Sequence, residues 1–574
     1  MTGMGRMLVV LSLVTAGQLS FAAQVQFSGT ESKAFLETHV SNRRDSSLPS
    51  VEINLSIPAM DIAREANGFD KLTVSRLNPS QEWGNPEVLV TGSLLAVPAG
   101  HEPQLEVLKV EEKQLEGIRV RPAQQEWRCS GPKGSFAFNS RLYSANSTYP
   151  NQLVKIEEVG KMGNVRLVRL ALNPIRMEMA NQKLLVASEV KVRVNFTQTD
   201  RNATATSVPQ AILETIQAST ANGKALGQWL KSESRGERMV ILTGDEYKST
   251  LQPYIAWKQK RGIQVDVVTL TEAGGDKDTL LKYVRQAYEQ ASQKPSYFLF
   301  IGNKTTMPAF KESTGSGSAA SDYRMTILSG DDDIPDVFYG RFLADNQEEL
   351  KVQIERTIAY ERSSESASWY SKGMTIASDE GSNPSDAEYA GQVQAALKAG
   401  TYKEVDNFLQ GEMTATAENI ISALNDGRSW ISYFGHGSGT SWGSTNDSFS
   451  VSTVETLENV SKLPVIIDVA CLNASWMNIS KCFGKSWVTQ TTDRGHAGAV
   501  AYYGGSVSIS WHPPAVMSVG IAKRRFEKSL TTMGSTVMAG QLYLIEQMGS
   551  TSATKDNLKW YNLFGDPSLA VRTQ

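Results

Sequence analysis

The sequence predicts an α/β fold in which a largely parallel sheet is flanked by helices and is preceded by a β-rich region. From Arg238 onwards, short apolar segments alternate with amphipathic ones, which is the pattern of parallel strands separated by helices. Before residue 225, polar and apolar residues alternate with a period of two, which is typical of half-buried strands. The chain has 574 residues, 20% of them charged and 40% hydrophobic, so its composition is that of a globular protein.

The N-terminus has the features of an export signal. Arg6 precedes an apolar run from Met7 to Ala16, and Ser20-Phe21-Ala22 places small residues at the two positions that a signal peptidase recognises. The apolar run is shorter than the ~20 residues of a membrane-spanning helix, and no later segment qualifies. We therefore expect residues 1–22 to be a signal peptide and the chain to be exported, either secreted or periplasmic, without a membrane span.

The β-rich region is predicted to extend over residues 23–225. Three segments show the two-residue period: Val51–Ile57, Asn164–Leu172 and Val190–Phe196. Small and polar residues follow from residue 200, with a short helix expected at Ala211–Ile216. Residues 226–237 are therefore interpreted as a linker, and the second domain is predicted to occupy residues 238–574.

Apolar strands and helices alternate through the second domain. The predicted strands are Met239–Thr243, Ile263–Leu270, Tyr297–Ile301, Met374–Ser378, Trp430–Phe434, Pro464–Val469 and Ala499–Tyr503. The predicted helices include Tyr247–Arg261, Thr279–Gln293 and Asp345–Arg362. In the last of these, Asp345 is expected to cap the helix, with Glu348 at its third position.

The charge balance and the scarce residues exclude several classes of function. The net charge is −3, which gives no electrostatic reason to expect nucleic acid or an anionic membrane surface as a partner. Three cysteines and five histidines are too few for a disulfide scaffold or a Cys-rich zinc site. Gly484-Lys485-Ser486 lacks the earlier glycine of a phosphate loop, and neither Ser438 nor Ser506 lies in a nucleophile elbow. Since the number of cysteines is odd, at least one thiol is free or pairs between chains.

One cysteine and one histidine directly follow predicted strands. Trp430–Phe434 leads into Gly435-His436-Gly437, and Pro464–Val469 leads into Ala470-Cys471. Ligand sites of open parallel sheets lie beyond the carboxyl ends of the strands, and the intervening chain is long enough for one crossover. If the two strands are neighbours, His436 and Cys471 face one cleft.

This pair has the chemistry of a cysteine nucleophile and its base. An imidazole stabilises the reactive thiolate of a neighbouring cysteine, and the N–H groups of Gly437 and Cys471 are candidate donors to an oxyanion. A cysteine that ends an apolar strand is also typical of a packing thiol, so these residues alone leave a structural alternative open. Cys482 is interpreted as such a thiol, and His496 and His512 as structural or surface residues.

The segments around both residues resemble the gingipain family of cysteine peptidases, which belongs to the caspase-like clan. The matching catalytic segments are Tyr433–Ser438, Ser441–Gly443 and Asp468–Asn473, and further matches are Val337–Phe342, Gln353–Thr357, Tyr360–Arg362 and Phe564–Leu569. The resemblance covers residues 238–574 and extends more weakly to Tyr143-Ser144 and residues 183–196, which are similar to the gingipain prosegment. It implies a caspase-like fold preceded by a prosegment.

The resemblance also implies roles for individual residues. Cys471 is expected to be the nucleophile and His436 the general base and later the acid. Glu380 occupies the place of the acidic residue that orients the histidine, and Asp379 is the alternative. Asp386 and Trp511 occupy the places of an Asp and a Trp that bind the P1 arginine in the arginine-specific members.

Two departures from the family pattern adjoin this expected P1 site. Phe434 stands where the family has a small polar residue, and His512-Pro513-Pro514 changes the chain that follows Trp511. We expect Arg at P1, with Lys as the alternative. No cofactor is expected for catalysis, but the resemblance implies structural calcium, for which Asp331-Asp332-Asp333 is a candidate run.

The predicted function is that of a secreted cysteine endopeptidase made as a zymogen, which acts on protein or peptide substrates. The first region is then an inhibitory prosegment, and Lys231, Arg235 and Arg238 lie where a protease specific for basic residues would cleave the junction. A permanent N-terminal β domain is the alternative for this region. The alternatives for the whole chain are a transpeptidase of the same clan and a non-catalytic surface-binding protein.

Overall fold

The computed structural model describes residues 22–29, 33–42, 48–125, 135–363, 367–381 and 384–572. The predicted signal peptide lies outside this part of the chain except for its last residue, and Cys129 also lies outside it. No helix among the described residues is long and apolar enough to cross a membrane. The chain forms a β-rich N-terminal region followed by an α/β C-terminal domain, which is the predicted fold class.

The N-terminal region consists mainly of antiparallel sheets. Its strands are β1 (Ala22–Gln26), β2 (Phe35–Asn42), β3 (Pro49–Ser56), β4 (Ala59–Arg64), β5 (Asp70–Thr73), β6 (Asn78–Pro79), β7 (Leu89–Val97), β8 (His101–Glu116), β9 (Thr148–Tyr149), β10 (Val154–Met162), β11 (Val165–Leu172), β12 (Ile175–Glu178), β13 (Lys183–Gln198), β14 (Thr206–Val208) and β15 (Leu230–Ser232). Three sheets have the orders β1-β4-β5, β10-β11-β7-β6 and β2-β3-β13-β12-β9, and β8 pairs with β13. The predicted alternation holds in β3 and β13, where buried residues alternate with partly exposed ones because each strand has one face on the core.

The chain between the two parts is more ordered than a plain linker. The N-terminal region has two helices, α1 (Ser140–Tyr143) and α2 (Gln210–Ser219). Within the junction, β15 pairs in parallel with β14. Lys231 is an exposed residue of β15, and Arg235 lies in the exposed turn that follows. Arg238, in contrast, lies in the next strand and donates to Asp266 over 2.6 Å.

The C-terminal domain is built on a ten-stranded sheet with two halves. The domain's strands are β16 (Glu237–Thr243), β17 (Ile263–Thr269), β18 (Tyr297–Ile301), β19 (Phe310–Thr314), β20 (Gly317–Ser321), β21 (Phe338–Phe342), β22 (Lys372–Ala377), β23 (Glu404–Leu409), β24 (Trp430–Phe434), β25 (Ser441–Trp442), β26 (Phe449–Ser450), β27 (Val465–Val469), β28 (Thr491–Thr492), β29 (Gly495–His496), β30 (Ala501–Gly505) and β31 (Tyr561–Phe564). The sheet order is β17-β16-β18-β21-β31-β30-β27-β24-β22-β23. Neighbouring strands are parallel within each half, but β30 and β31 are antiparallel, so the two halves run in opposite directions. The carboxyl ends of β22, β24, β27 and β30 therefore share one edge.

Helices connect and cover these strands. They are α3 (Gln252–Lys260), α4 (Lys277–Gln290), α5 (Gln347–Arg362), α6 (Asp386–Ala399), α7 (Ala417–Asp426), α8 (Val451–Val454), α9 (Phe483–Thr489), α10 (His512–Glu527), α11 (Met533–Met548) and α12 (Ser552–Trp560). The predicted cap of α5 is wrong by one residue, because Asn346 accepts from the N–H of Glu349. Asp345 instead forms an ion pair with Lys485.

The two parts of the chain share one hydrophobic core along α11. This helix is buried on nearly every side because it packs between α10 and the N-terminal elements β7 and α2. Leu94 of β7 and Ile212 of α2 lie in the same apolar cluster as Met538 and Leu542 of α11. Separation of the two parts would therefore expose apolar surface of α11 to water.

A buried arginine of β11 caps the end of α11. Arg169 is 3% exposed and donates to the carbonyl oxygens of Glu546 over 2.8 Å and of Gln547 over 3.3 Å. It also donates to the carboxylate of Glu157 and to the carbonyl oxygen of Thr91, each over 2.8 Å. The positive guanidinium stabilises the negative end of the helix dipole, so a charged contact complements the apolar one.

The turn between β10 and β11 is a second contact between the two parts. The N–H of Lys161 donates to Asp332 over 2.9 Å, and the N–H of Gly163 donates to Asp336 over 3.1 Å. Since both donors are backbone groups, the fit depends on the shape of the turn more than on its side chains.

Candidate active site

The strands that carry the predicted nucleophile and base are neighbours. β24 and β27 pair in parallel, with Phe434 opposite Val469. His436 and Cys471 each lie two residues beyond these paired positions. Both residues therefore lie at the same edge of the sheet and at the same distance past the last paired residues. Both strands are fully buried and mainly apolar, and this burial fixes the point at which each chain leaves the sheet.

Cys471 lies in a tight turn that is anchored to the chain after β30. The residue is fully buried, and its Sγ lies 3.9 Å from the carbonyl oxygen of Ile509. Leu472 has φ +64°, a left-handed conformation that is uncommon for a residue other than glycine. Its N–H donates to Val507 over 3.0 Å, which holds the turn in this shape.

His436 is held through both its side chain and its backbone. Its Nε2 lies 2.9 Å from the carboxylate of Glu380, and its side chain is 30% exposed. The hydroxyl of Tyr433 donates to the carbonyl of His436 over 2.8 Å, and the N–H of His436 donates to Ser444 over 2.9 Å. Glu380 is thus the carboxylate that contacts the imidazole, in the place for which Asp379 was the alternative.

Gly437 brings the two loops into contact. A Cβ on this residue would lie 2.3 Å from the carbonyl oxygen of Cys471, so only glycine fits. Gly437 forms a bridge with Trp442 that uses the N–H groups of Ser438 and Gly443. The N–H of Gly437 itself has no hydrogen-bond partner among the residues that the structure describes. This N–H therefore remains as a donor beside Cys471.

Asp386 adjoins Glu380, and Trp511 adjoins the ring of His436. Asp386 is the first residue of α6, is fully buried and accepts from Ser378 Oγ over 2.7 Å. Its N–H donates to the carbonyl of Glu380 over 3.1 Å. The ring of Trp511 lies 6.1 Å from that of His436 in an edge-to-face arrangement. The structure therefore brings all the predicted site residues together at one edge of the sheet.

Comparisons with known proteins agree with this geometry. The profile of Peptidase family C25 matches residues 232–572, and the profile of its propeptide, Propeptide_C25, matches residues 43–224. The chain belongs to peptidase family C25. The predicted family, fold class and enzyme class, a cysteine-type peptidase with a propeptide, are thereby confirmed.

Relatives of this C25 peptidase include gingipains of Porphyromonas gingivalis. The chain is 26% identical to Gingipain R1 over 507 residues, covering 86% of this chain and 50% of that protein. It is 26% identical to Gingipain R2 over 509 residues, covering 86% and 68%, and 24% identical to Lys-gingipain W83 over 540 residues, covering 90% and 30%. The chain thus spans half the length of Gingipain R1 and less than a third of Lys-gingipain W83.

Two solved structures resemble the C25 peptidase. The crystal structure of the Arg-specific cysteine proteinase gingipain R (RgpB) matches with a TM-score of 0.55 and 29% identity, covering 59% of this chain and 79% of that chain. A complex of the pro- and mature domains of RgpB from P. gingivalis matches with a TM-score of 0.54 and 29% identity, covering 58% and 80%. Both show an α/β peptidase fold for this chain.

The two departures from the family pattern, at Phe434 and His512, both contact Tyr389. Phe434 stacks on Tyr389 with their ring centroids 6.2 Å apart. The hydroxyl of Tyr389 lies 3.0 Å from Nδ1 of His512. All three residues are buried, so they form a layer of the core behind the site.

The remaining predicted residues lie outside the site. Burial raises the pKa of the Cys482 thiol to about 12, as expected for a packing thiol. His496 lies 3.5 Å from Glu355.

Two of the three carboxylates in the candidate calcium run, those of Asp332 and Asp333, are occupied by other partners. Asp332 accepts from two backbone N–H groups, those of Lys161 and Ile334, and Asp333 pairs with Lys555 over 2.8 Å. Carboxylates that are occupied by N–H and ammonium donors do not fit a calcium ion, which needs six to eight oxygen ligands. Among the described residues, no group of three or more His, Cys, Asp or Glu is arranged to hold a metal.

Three buried residues of the site were assigned no role from the sequence. They are Ser378, which contacts Asp386, and Asp468 and Asn473, which lie beneath the two loops. For Asp468 a signal was present, because a carboxylate in the otherwise apolar strand Val465–Val469 is unusual unless it is fully hydrogen-bonded.

The two cysteines of the peptidase domain are expected to differ in reactivity. After processing, iodoacetamide at pH 7 should label Cys471 and spare Cys482, because a thiol with a pKa of about 12 stays protonated. Peptide mass spectrometry measures the two labelling rates, and unfolding in urea, which should make both thiols reactive, is the control. Equal labelling of both cysteines in the folded protein would contradict the assignment.

Proposed function

We propose that this C25 peptidase is a secreted endopeptidase, made as a zymogen, which cleaves peptide bonds after Arg, with Lys as the alternative P1 residue. The observation that carries the proposal is the convergence of Cys471, His436 and Glu380 at one edge of the sheet. The similarity to Gingipain R1, Gingipain R2 and Lys-gingipain supports cleavage after a basic residue. The signal-like N-terminus supports export.

Catalysis begins with proton transfer from the thiol. His436 takes the proton of Cys471, and the thiolate attacks the carbonyl carbon of the scissile bond to form a tetrahedral adduct. Glu380 accepts from Nε2 over 2.9 Å, so it fixes the tautomer that presents Nδ1 to the thiol and stabilises the imidazolium. The negative oxygen of the adduct binds the N–H groups of Gly437 and Cys471.

The second half of the reaction returns the proton and releases the acyl group. The adduct collapses as His436 protonates the leaving amine, which leaves a thioester on Cys471. Water then attacks this thioester with His436 as base, and the acid is released while the thiol is restored. In a transpeptidase, an amine would take the place of this water.

Selection of a basic P1 residue rests on Asp386 and Trp511. Asp386 is a buried carboxylate, and a guanidinium that reaches it forms a charge-assisted pair in a low-dielectric environment. The indole of Trp511 offers a face on which a planar cation stacks. Because arginine forms both a forked pair and a stack while lysine is a point charge, this combination favours arginine.

The N-terminal region acts as the inhibitory prosegment in this proposal. It matches the propeptide profile, and its relative RgpB has been solved as a complex of pro- and mature domains. The exposed Lys231 and Arg235 supply basic residues at the junction, where self-cleavage would separate the two parts. Arg169 and the turn at Lys161–Gly163 would still hold the cleaved prosegment on the peptidase domain.

The first prediction of the proposed function concerns the nucleophile. The processed wild-type protein should hydrolyse Arg reporter peptides faster than Lys peptides, and Asn or Asp peptides least, while Cys471→Ala should abolish hydrolysis. The measurement is kcat/KM on the four reporters, with Cys482→Ala as the matched control that keeps activity. Hydrolysis that survives Cys471→Ala would refute the mechanism, and mass spectrometry with an added amine would reveal a transpeptidase.

The second prediction concerns P1 selection. Asp386→Asn should lower kcat/KM for the Arg reporter by about 10–100-fold, the value of one charge-assisted hydrogen bond of about 1.5–3 kcal/mol. Asp379→Asn, on the same loop but exposed, is the matched control and should change it little. If both variants retain wild-type preference for Arg, Asp386 does not bind the P1 residue.

The third prediction concerns prosegment docking. Arg169→Met should raise the dissociation constant of the cleaved complex by about 10–100-fold, since it removes the charged donor from the carbonyl oxygens at the end of α11. Dilution of the cleaved complex, followed by an activity assay, measures this constant. Arg166→Met is the matched control, because Arg166 lies on the same strand but pairs with Glu158 and Glu102 of the prosegment. Equal release of activity from both variants would show that Arg169 does not anchor the prosegment.

A further inference from the structure

A buried carboxylate lies beneath the site and takes no part in the mechanism described so far. Asp468 is fully buried in β27. It accepts hydrogen bonds from the indole Nε1 of Trp442 over 2.9 Å and from Nδ2 of Asn473 over 3.0 Å. The hydroxyl of Tyr502 is a third donor. Each donor comes from a different segment, so one carboxylate connects three parts of the domain.

Two of these donors, Trp442 and Asn473, belong to the two loops that form the site, whereas Tyr502 lies in β30. Trp442 lies at the end of the loop after His436 and is bridged to Gly437. Asn473 follows Cys471, and its Oδ1 accepts from the N–H of Gly439, 3.0 Å away, in the middle of the histidine loop. Asp468 therefore holds the histidine loop both directly, through Trp442, and indirectly, through Asn473.

Burial of the Asp468 carboxylate is energetically unfavourable, which suggests that the residue has a specific role. Removal of a carboxylate from water is unfavourable, and the other residues of β27 are apolar, so an apolar residue would fill the strand without that cost. Charge-assisted hydrogen bonds are shorter and stronger than neutral ones, so they fix their partners more tightly. Burial raises the pKa of Tyr502 well above its ordinary value, which keeps the proton on the tyrosine and leaves the carboxylate as the acceptor.

We propose that Asp468 is a positioning residue that sets the separation of the Gly437 and Cys471 N–H groups for the oxyanion. It lies under the loops and does not touch the substrate. Gly437 fits against the carbonyl of Cys471 so closely that a shift of either loop would move both donors. This inference rests on the proposed peptidase function and adds to it the residue that aligns the oxyanion site.

Two reactions of the same thiol separate positioning from general stability. Hydrolysis of a peptide passes through an oxyanion and needs both N–H donors. Alkylation by iodoacetamide forms a carbon–sulfur bond and expels iodide, and no oxyanion arises. A change that disturbs only the oxyanion site therefore slows hydrolysis but not alkylation, whereas partial unfolding affects both.

The test is Asp468→Asn in the processed enzyme. The amide of asparagine has the same shape as the carboxylate, but it replaces one acceptor oxygen with an NH₂ donor. That donor would face the hydrogen-bond donors that the carboxylate oxygen accepts from. We expect kcat for the Arg reporter to fall about 100-fold, as for the loss of an oxyanion donor, with KM nearly unchanged. The alkylation rate of Cys471 should change by less than about threefold, since that reaction involves no oxyanion. A parallel loss of both rates, or a wild-type kcat, would overturn the inference.

Two further variants distinguish a loss of positioning from a loss of folding. Asp322→Asn is the matched control, because Asp322 is a buried carboxylate that pairs with Arg341 over 2.6 Å. It should lower the thermal midpoint without changing the ratio of hydrolysis to alkylation. If Asp468→Asn fails to fold, Trp442→Phe removes a single donor, and it should lower this ratio by about tenfold. An unchanged ratio in Trp442→Phe would then overturn the inference.

The outcome also distinguishes this inference from the proposed function. A wild-type enzyme that cleaves none of the reporter peptides would refute the proposed function and the inference with it. A wild-type enzyme that cleaves Arg reporters, together with an Asp468→Asn variant of equal kcat, would refute only the role of Asp468.

Discussion

The close contact between the loop after β24 and the loop after β27 is the constraint on which the site depends. Gly437 has no room for a Cβ because the carbonyl of Cys471 lies in its place. This contact exists because the two strands are parallel neighbours in a register that brings both loops out at one level. The thiol turn, the imidazole and the N–H donors are then held by one rigid sheet edge, as a preorganised site requires.

Opposite strand directions in the two halves of the sheet confine the site to one of them. The carboxyl ends of β22, β24, β27 and β30 meet at one edge, and each contributes a part of the site through the loop that follows it. The other half of the sheet is joined to this one through the antiparallel pair β30–β31 and contributes apolar residues to the core. The N-terminal region adds to the same core along α11, so prosegment docking and the stability of the peptidase domain are physically linked.

Polar groups in the interior hold the loops that the strands bring together. Asp468 connects the two catalytic loops, Ser378 contacts Asp386, and Arg169 caps α11 across the boundary between the two parts. Each of these groups is buried and hydrogen-bonded, as a polar group in a protein interior must be. The net charge of the chain plays little part, because these effects arise from single, local carboxylates and cations.

Apolar periodicity in the sequence predicted the fold class and most of the strands, and it placed His436 and Cys471 directly after two of those strands, because periodicity and strand-end motifs are local properties. The sequence placed the cap of α5 one residue early, because caps depend on dihedral angles that composition does not reveal. Three features became visible only in the folded chain: Glu380 and not Asp379 contacts the imidazole, the sheet has two opposed halves, and Asp468 joins the loops. These features depend on contacts between residues far apart in the chain, and such contacts leave no periodic signal along it.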